Sequence, residues 1–136
     1  MKRTDFFKKI IDLFCFKILK DKDNNEYVVF SNSPIDELGK VEDKTEFEAI
    51  ENHVHILDNI KENEFDELLL IANDLGHIFH QVLKNNFPDK FFYVYISLTL
   101  YDSMIIRFHQ KWGGEVPYYN LQISDDKDER ILLFKG

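Results

Sequence analysis

The stretch FFYVYISLTLYDSMIIRFHQKWGGEVPYY, residues 91–119, alternates between two kinds of side chain with a period of two, which is the spacing of a β-strand and not of a helix. Phe92, Val94, Ile96, Leu98 and Leu100 fall on one face, and Phe91, Tyr93, Tyr95, Ser97 and Thr99 on the other. Tyr101, Asp102 and Ser103 form a link short enough for a hairpin, after which Met104, Ile106, Phe108 and Trp112 repeat the apolar face while Arg107, His109 and Lys111 take the opposite one. Pairing these two strands through their apolar faces sets Tyr93, Tyr95 and Thr99 beside Arg107, His109 and Lys111. Gly113 and Gly114 make the next turn, and Glu115, Tyr118 and Tyr119 are expected to gather with Trp112 at one edge of that outward surface.

Upstream of Pro88 the period is helical. From Phe65 to Leu83 the residues Phe65, Leu68, Leu69, Ala72, Leu75, Gly76, Phe79, Val82 and Leu83 form one buried face, stopped by Asn85, Asn86 and Pro88. An earlier helix is signalled by Thr45 with Glu48, spaced as a capping box, and by the stripe Phe47, Ile50, Val54 and Leu57; its far end is ambiguous because residues 53–56 also alternate like a strand. The first helix is read over residues 5–14, capped by Thr4, with Phe6, Phe7, Ile10, Ile11 and Phe14 on one side. DKDNN at 21–25 is a turn between KILK and EYVVF. Two short strands are expected over 118–123 and 130–134, separated by the acidic DDKDE. Helices first and strands last predict an α+β fold over residues 1–136 as a single domain, with N-terminal helices packed on one face of a C-terminal antiparallel β-meander.

A chain of 136 residues with 44% hydrophobic content can bury about two thirds of the surface its unfolded form exposes. The single cysteine, Cys15, sits in an apolar run and reads as a small buried hydrophobe, which fits a reducing, cytoplasmic setting. The basic amino terminus resembles the start of a signal peptide, but Lys8, Lys9, Asp12 and Lys17 interrupt every apolar run. No segment approaches the roughly 20 apolar residues of a spanning helix, so no membrane role is expected. The net charge of −8 is uneven: residues 2–20 hold six Lys/Arg against two acids, and residues 21–67 hold four against fifteen. Such a surface repels nucleic acid and steers a basic protein partner, and it also serves solubility.

Chemistry-bearing motifs are few. His53 and His55 lie two apart and His77 and His80 three apart, so a histidine metal site is one reading, yet no third and fourth ligand follow at zinc spacing and no metal or other cofactor is expected. Cys15 has no neighbouring histidine, no serine sits in a GxSxG elbow, and Gly113–Gly114 precede an anionic residue and cradle no phosphate. No catalytic residue is assigned. Tyr, Trp and Arg are the side chains that most often anchor interfaces, which makes Tyr93, Tyr95, Arg107, His109, Lys111, Trp112, Glu115, Tyr118 and Tyr119 candidates for partner recognition.

Within this stretch, Phe108, His109, Lys111, Gly114 and Glu115 form an FH, basic residue, GE pattern. With the acidity and the α+β reading, it resembles the small immunity proteins of bacterial polymorphic and contact-dependent toxin systems. The resemblance implies a non-catalytic protein that binds a cognate toxin domain, often a nuclease with a basic cleft. On that reading Glu42, Asp43, Glu46, Glu62 and Glu64 accelerate association while aromatic side chains hold the complex. Two other readings stand beside it: a small-ligand or metal-binding domain using the histidines, and a homodimeric regulatory or adaptor protein joined through the outward sheet face or a strand edge.

Overall fold

The structure, a computed structural model, describes residues 2–119 and 128–136. In chain order the elements are α1 (Arg3–Asp12), β1 (Phe16–Lys20), β2 (Glu26–Phe30), α2 (Lys44–Glu51), β3 (His53–Asp58), a 3₁₀ turn at Glu62–Glu64, α3 (Phe65–Asn86), β4 (Phe92–Thr99), β5 (Ser103–Gln110) and β6 (Glu129–Lys135). They make a mixed α+β fold with two antiparallel sheets, the β1–β2 hairpin and a four-stranded sheet ordered β3-β5-β4-β6. Among the described residues no helix is long and apolar enough to cross a membrane.

The β4–β5 hairpin follows the period-two reading. Val94 faces Phe108 and Ile96 faces Ile106, and all four are fully buried. The expected meander does not form. The chain leaves β5, folds back over the sheet, and returns as β6 on the free edge of β4, while β3 takes the other edge of β5. The strand expected over 118–123 lies outside the described residues from 120 onward, as does most of the DDKDE loop; Tyr118 and Tyr119 form a bend.

The apolar face of the sheet is covered by α3 and the β1–β2 hairpin. The rings of Phe16 and Phe30 meet Phe108 edge-on at 5.6 and 5.2 Å, and Phe79 of α3 lies 5.6 Å from the same ring. Helix α3 approaches β6 so closely at Gly76 that a Cβ there would lie 2.0 Å from the Phe134 ring, so glycine is required by contact rather than by backbone conformation.

Three local expectations are corrected. Helix α1 starts from Lys2, not Thr4, and none of its residues is buried: Phe6, Phe7 and Ile11 are exposed, and only the following Leu13, Phe14 and Phe16 reach the core. Cys15 is exposed, its thiol donating to the Ile11 carbonyl at 3.3 Å. Helix α2 is capped by Asp43, whose carboxylate accepts from the Glu46 N–H at 2.9 Å, and it ends at Glu51, so Val54 and Leu57 belong to β3. The Thr45/Glu48 spacing is no capping box, because both residues are buried inside the helix.

Candidate partner-binding site

Glu48 is the residue that builds the site. Helix α2 is wedged between β2 and β5 just beyond the start of β3, where neither strand has a neighbour to complete its ladder. The Glu48 carboxylate accepts hydrogen bonds from Val28 N–H (2.9 Å), Gln110 N–H (2.8 Å), the Gln110 side-chain amide (2.8 Å) and the Trp112 indole (2.7 Å). One turn on, the Asn52 amide donates to the Val28 carbonyl at 2.8 Å, so two side chains do for β2 what a paired strand would do. Burial pushes the Glu48 carboxyl up to about 7, opposed by the donors around it. Glu48 is thus structural, and no single-residue signal marks it: the groups it serves come from elements 20 and 62 residues away.

Trp112 follows from this arrangement. It turns away from the outward face to donate to Glu48 and to pack 5.1 Å from Tyr27, in a second cluster with Leu19, Val29 and Phe47. The expectation that it borders the outward face is therefore corrected. After the turn at Gly113–Gly114, where Gly114 takes φ 79°, the chain doubles back as a strap over residues 113–119. Glu115 pins the strap to the start of α2, its carboxylate accepting from Thr45 N–H at 2.7 Å and Lys44 N–H at 3.2 Å. Partial burial raises the Glu115 carboxyl, but these N–H donors outweigh it and hold the group below the usual carboxylate range.

The strap closes over the row of residues expected to face outward. The register is as read, with Tyr93 opposite His109 and Tyr95 opposite Arg107, but Tyr95 and His109 are each 1% exposed. The His109 Nδ1–H donates to the Gln110 carbonyl at 2.7 Å, which leaves Nε2 to accept from Tyr118 N–H at 3.2 Å and to meet the Tyr95 hydroxyl at 3.1 Å. Burial holds the His109 pKa below its ordinary value, so the ring is neutral. Arg107 donates to the Ala49 carbonyl and lies under the Tyr118 ring at 4.8 Å and the Tyr119 ring at 5.9 Å. Tyr119 meets Tyr95 edge-on at 4.9 Å. A partner cannot touch His109 or Tyr95 without lifting the strap. Tyr93 is half-buried, and Lys111, just past the end of β5, is exposed beside Phe91.

The strap also creates the concave surface of greatest interest, a cleft of about 510 Å³ lined by Asp43, Thr45, Glu46, Gly114, Glu115, Val116, Pro117 and Tyr118. Four of the candidate residues meet there: Asp43, Glu46, Glu115 and Tyr118. Val116 was not singled out in the sequence, yet it is 80% exposed on the cleft wall, an apolar side chain among carboxylates. Glu42, the chain neighbour of Asp43, is exposed. Glu62 and Glu64 are elsewhere, on the 3₁₀ turn, where the Tyr101 hydroxyl donates to Glu62 at 3.1 Å and Glu64 accepts from Lys61 N–H at 2.9 Å.

The histidines are dispersed. His53 and His55 share the outer side of the edge strand β3, with His55 3.6 Å from Asp58; His77 packs against the Phe134 ring, and His80 bonds the Gly136 carbonyl at 3.2 Å. Among the described residues no three His, Cys, Asp or Glu side chains converge as metal ligands. No family model, curated protein or solved structure matches the chain.

Proposed function

We propose that this protein is a non-catalytic inhibitor that binds a basic protein partner, as an immunity protein binds its toxin, and that the cleft between α2 and the strap receives the partner. The observation that carries this reading is the composition of the cleft wall, where the carboxylates of Asp43, Glu46 and Glu115 surround the exposed Val116 and the edge of Tyr118. Acidic groups attract a Lys- or Arg-rich surface from a distance, and the apolar and aromatic side chains supply the contact that persists after docking. Glu115 and Asp43 are already engaged by α2, so they contribute charge and shape, leaving Glu46, Val116 and Tyr118 as the contacts.

The test is co-expression with the product of the adjacent gene, followed by co-purification and an assay of that product's toxicity. The wild-type chain is expected to form a complex and suppress toxicity, and Val116→Asp is expected to weaken the complex at least tenfold, the loss of about 1.4 kcal/mol. Absence of any complex would defeat the proposal, and so would a complex indifferent to Val116→Asp and Glu46→Lys together.

A further inference from the structure

The two edges of the four-stranded sheet differ in character. At β3 the ladder carries a register shift between His55 and Leu57, the kind of irregularity that keeps an edge strand from pairing further. β6 has no such device: its pairing with β4 is regular from Glu129 to Lys135, and the strand holds neither proline nor glycine. Phe92 and Gly136 exchange both backbone hydrogen bonds, at 2.9 and 3.2 Å, which sets the parity of the ladder. Arg130, Leu132 and Phe134 therefore bond to β4. The N–H and C=O groups of Glu129, Ile131, Leu133 and Lys135 point to the open side, and no described residue bonds to them there.

The sequence of β6, ERILLFK, specifies what pairs with this edge. Two copies joined edge to edge about a two-fold axis run antiparallel, and the axis passes through a residue that stands level with its own copy. Placed at Leu132, the axis sets Glu129 opposite Lys135, Ile131 opposite Leu133 and Arg130 opposite Phe134, with no like charges facing each other. Both 129–135 and 131–133 are pairs of outward-pointing residues, so every open N–H and C=O from Glu129 to Lys135 finds a backbone partner. An axis at Ile131 sets Glu129 opposite Leu133, and one at Leu133 sets Lys135 opposite Ile131; both lose the charge pairs. The charges are available, because Glu129, Arg130 and Lys135 make no ion pair among the described residues. Leu133, 36% exposed, supplies apolar contact on the same face.

We infer that this chain forms a symmetric homodimer through β6, which joins the two four-stranded sheets into one continuous sheet. The helix layer fits this arrangement. Strands about 4.8 Å apart place the two α3 helices, each lying over β4 and β6 of its own copy, about 10 Å apart, the distance at which helices pack. β6 stands two strands away from β5, where Glu48 of α2 is bonded, so dimerisation leaves the cleft open and does not depend on its proposed role. A seam one strand wide is at the small end of specific interfaces, so a Kd of about 1–100 µM is expected.

Sedimentation equilibrium of the full chain across roughly 1–500 µM tests this directly. The wild type is expected to shift from one to two chains per particle, and over the same range the amides of Ile131, Leu133 and Lys135 are expected to gain protection from hydrogen exchange. Leu133→Pro deletes an outward N–H without touching the bonds to β4 and is expected to weaken the dimer more than tenfold. Glu129→Lys, a change on the open edge, is expected to weaken it severalfold, and adding Lys135→Glu is expected to restore it by reversing the reciprocal pair; these two variants decide the matter if Leu133→Pro fails to fold. A monomer throughout the range overturns the inference. So does a dimer in which those three amides gain no protection, or one weakened by Glu129→Lys without rescue by Lys135→Glu, or one indifferent to Glu129→Lys.

Discussion

Glu48 shows how one side chain can join elements that backbone pairing leaves apart. Its carboxylate satisfies the Val28 and Gln110 N–H groups, both interior, so Glu48→Ala is expected to cost about 3 kcal/mol or more and to lower the urea midpoint accordingly. The same residue sets a pH dependence. Its pKa rises from 4.5 in the unfolded chain to about 7 on folding, so between those values the folded protein binds more protons than the unfolded one. This contribution is fully present below about pH 4.5 and is lost as the pH rises through about 7, by up to about 3 kcal/mol at 1.36 kcal/mol per pH unit. Urea titrations at a series of pH values should show this slope in the wild type and its disappearance in Glu48→Gln; a slope that survives the substitution would assign it to other groups. Asp21 acts in a separate window: the Tyr27 hydroxyl, donating at 2.6 Å, draws its pKa down to about 2, so its contribution is lost only as the pH falls below 3.8.

Among the elements, the strap is the one whose hold on the sheet can be titrated. Tyr118 N–H donates to His109 Nε2, and protonating that nitrogen would set two donors against each other inside a buried aromatic cluster. Because burial lowers the His109 pKa below 6.5, the unfolded chain takes up the proton first, and the contribution of this contact is complete above 6.5 and lost as the pH falls through the lower folded value. Amide exchange over residues 113–119, corrected for intrinsic rates, is expected to accelerate relative to β4 and β5 as the pH is lowered from above 6.5 through the lower folded value. His109→Leu removes the acceptor and should give fast exchange at both ends of that range; strap protection unchanged by pH in the wild type would refute the link. The period-two alternation of residues 91–110 identified β4 and β5, and with them the inward Ile106 and Phe108, because strand spacing is local information. The strap was hidden from the same reading. Alternation says that Arg107 and His109 leave the core face, but the tyrosines that cover them lie beyond a double-glycine turn whose direction is fixed by Glu115 meeting α2 some 70 residues earlier in the chain. The start of helix α2 escapes the sequence for a related reason: Thr45 and Glu48 have the right spacing for a cap, and only the approach of β2 and β5 turns Glu48 into an interior acceptor.

For the whole molecule, the placement of the acidic residues separates two groups that the sequence presents as one run. Asp43 and Glu46 stand at the end of the sheet marked by Gln110, whereas Glu62 and Glu64 follow β3 at the end marked by Ser103. The length of β5 puts these ends roughly 24 Å apart at 3.4 Å per residue, which is about three Debye lengths at physiological salt, where one is about 8 Å. A basic partner docking in the cleft therefore senses the near pair strongly and the far pair hardly at all. Asp43→Asn retains the helix cap, and Glu46→Gln retains the side-chain volume, so together they remove two charges at little structural cost. That double variant is expected to slow association several-fold in stopped-flow measurements at physiological salt while changing dissociation little, and Glu62→Gln with Glu64→Gln is expected to leave both rates within about twofold. At about 10 mM salt the Debye length grows to about 30 Å, and the distant pair should then affect association as well. Equal effects of the two pairs at physiological salt would move the partner's footprint away from the cleft, toward the 3₁₀ turn or across both ends of the sheet.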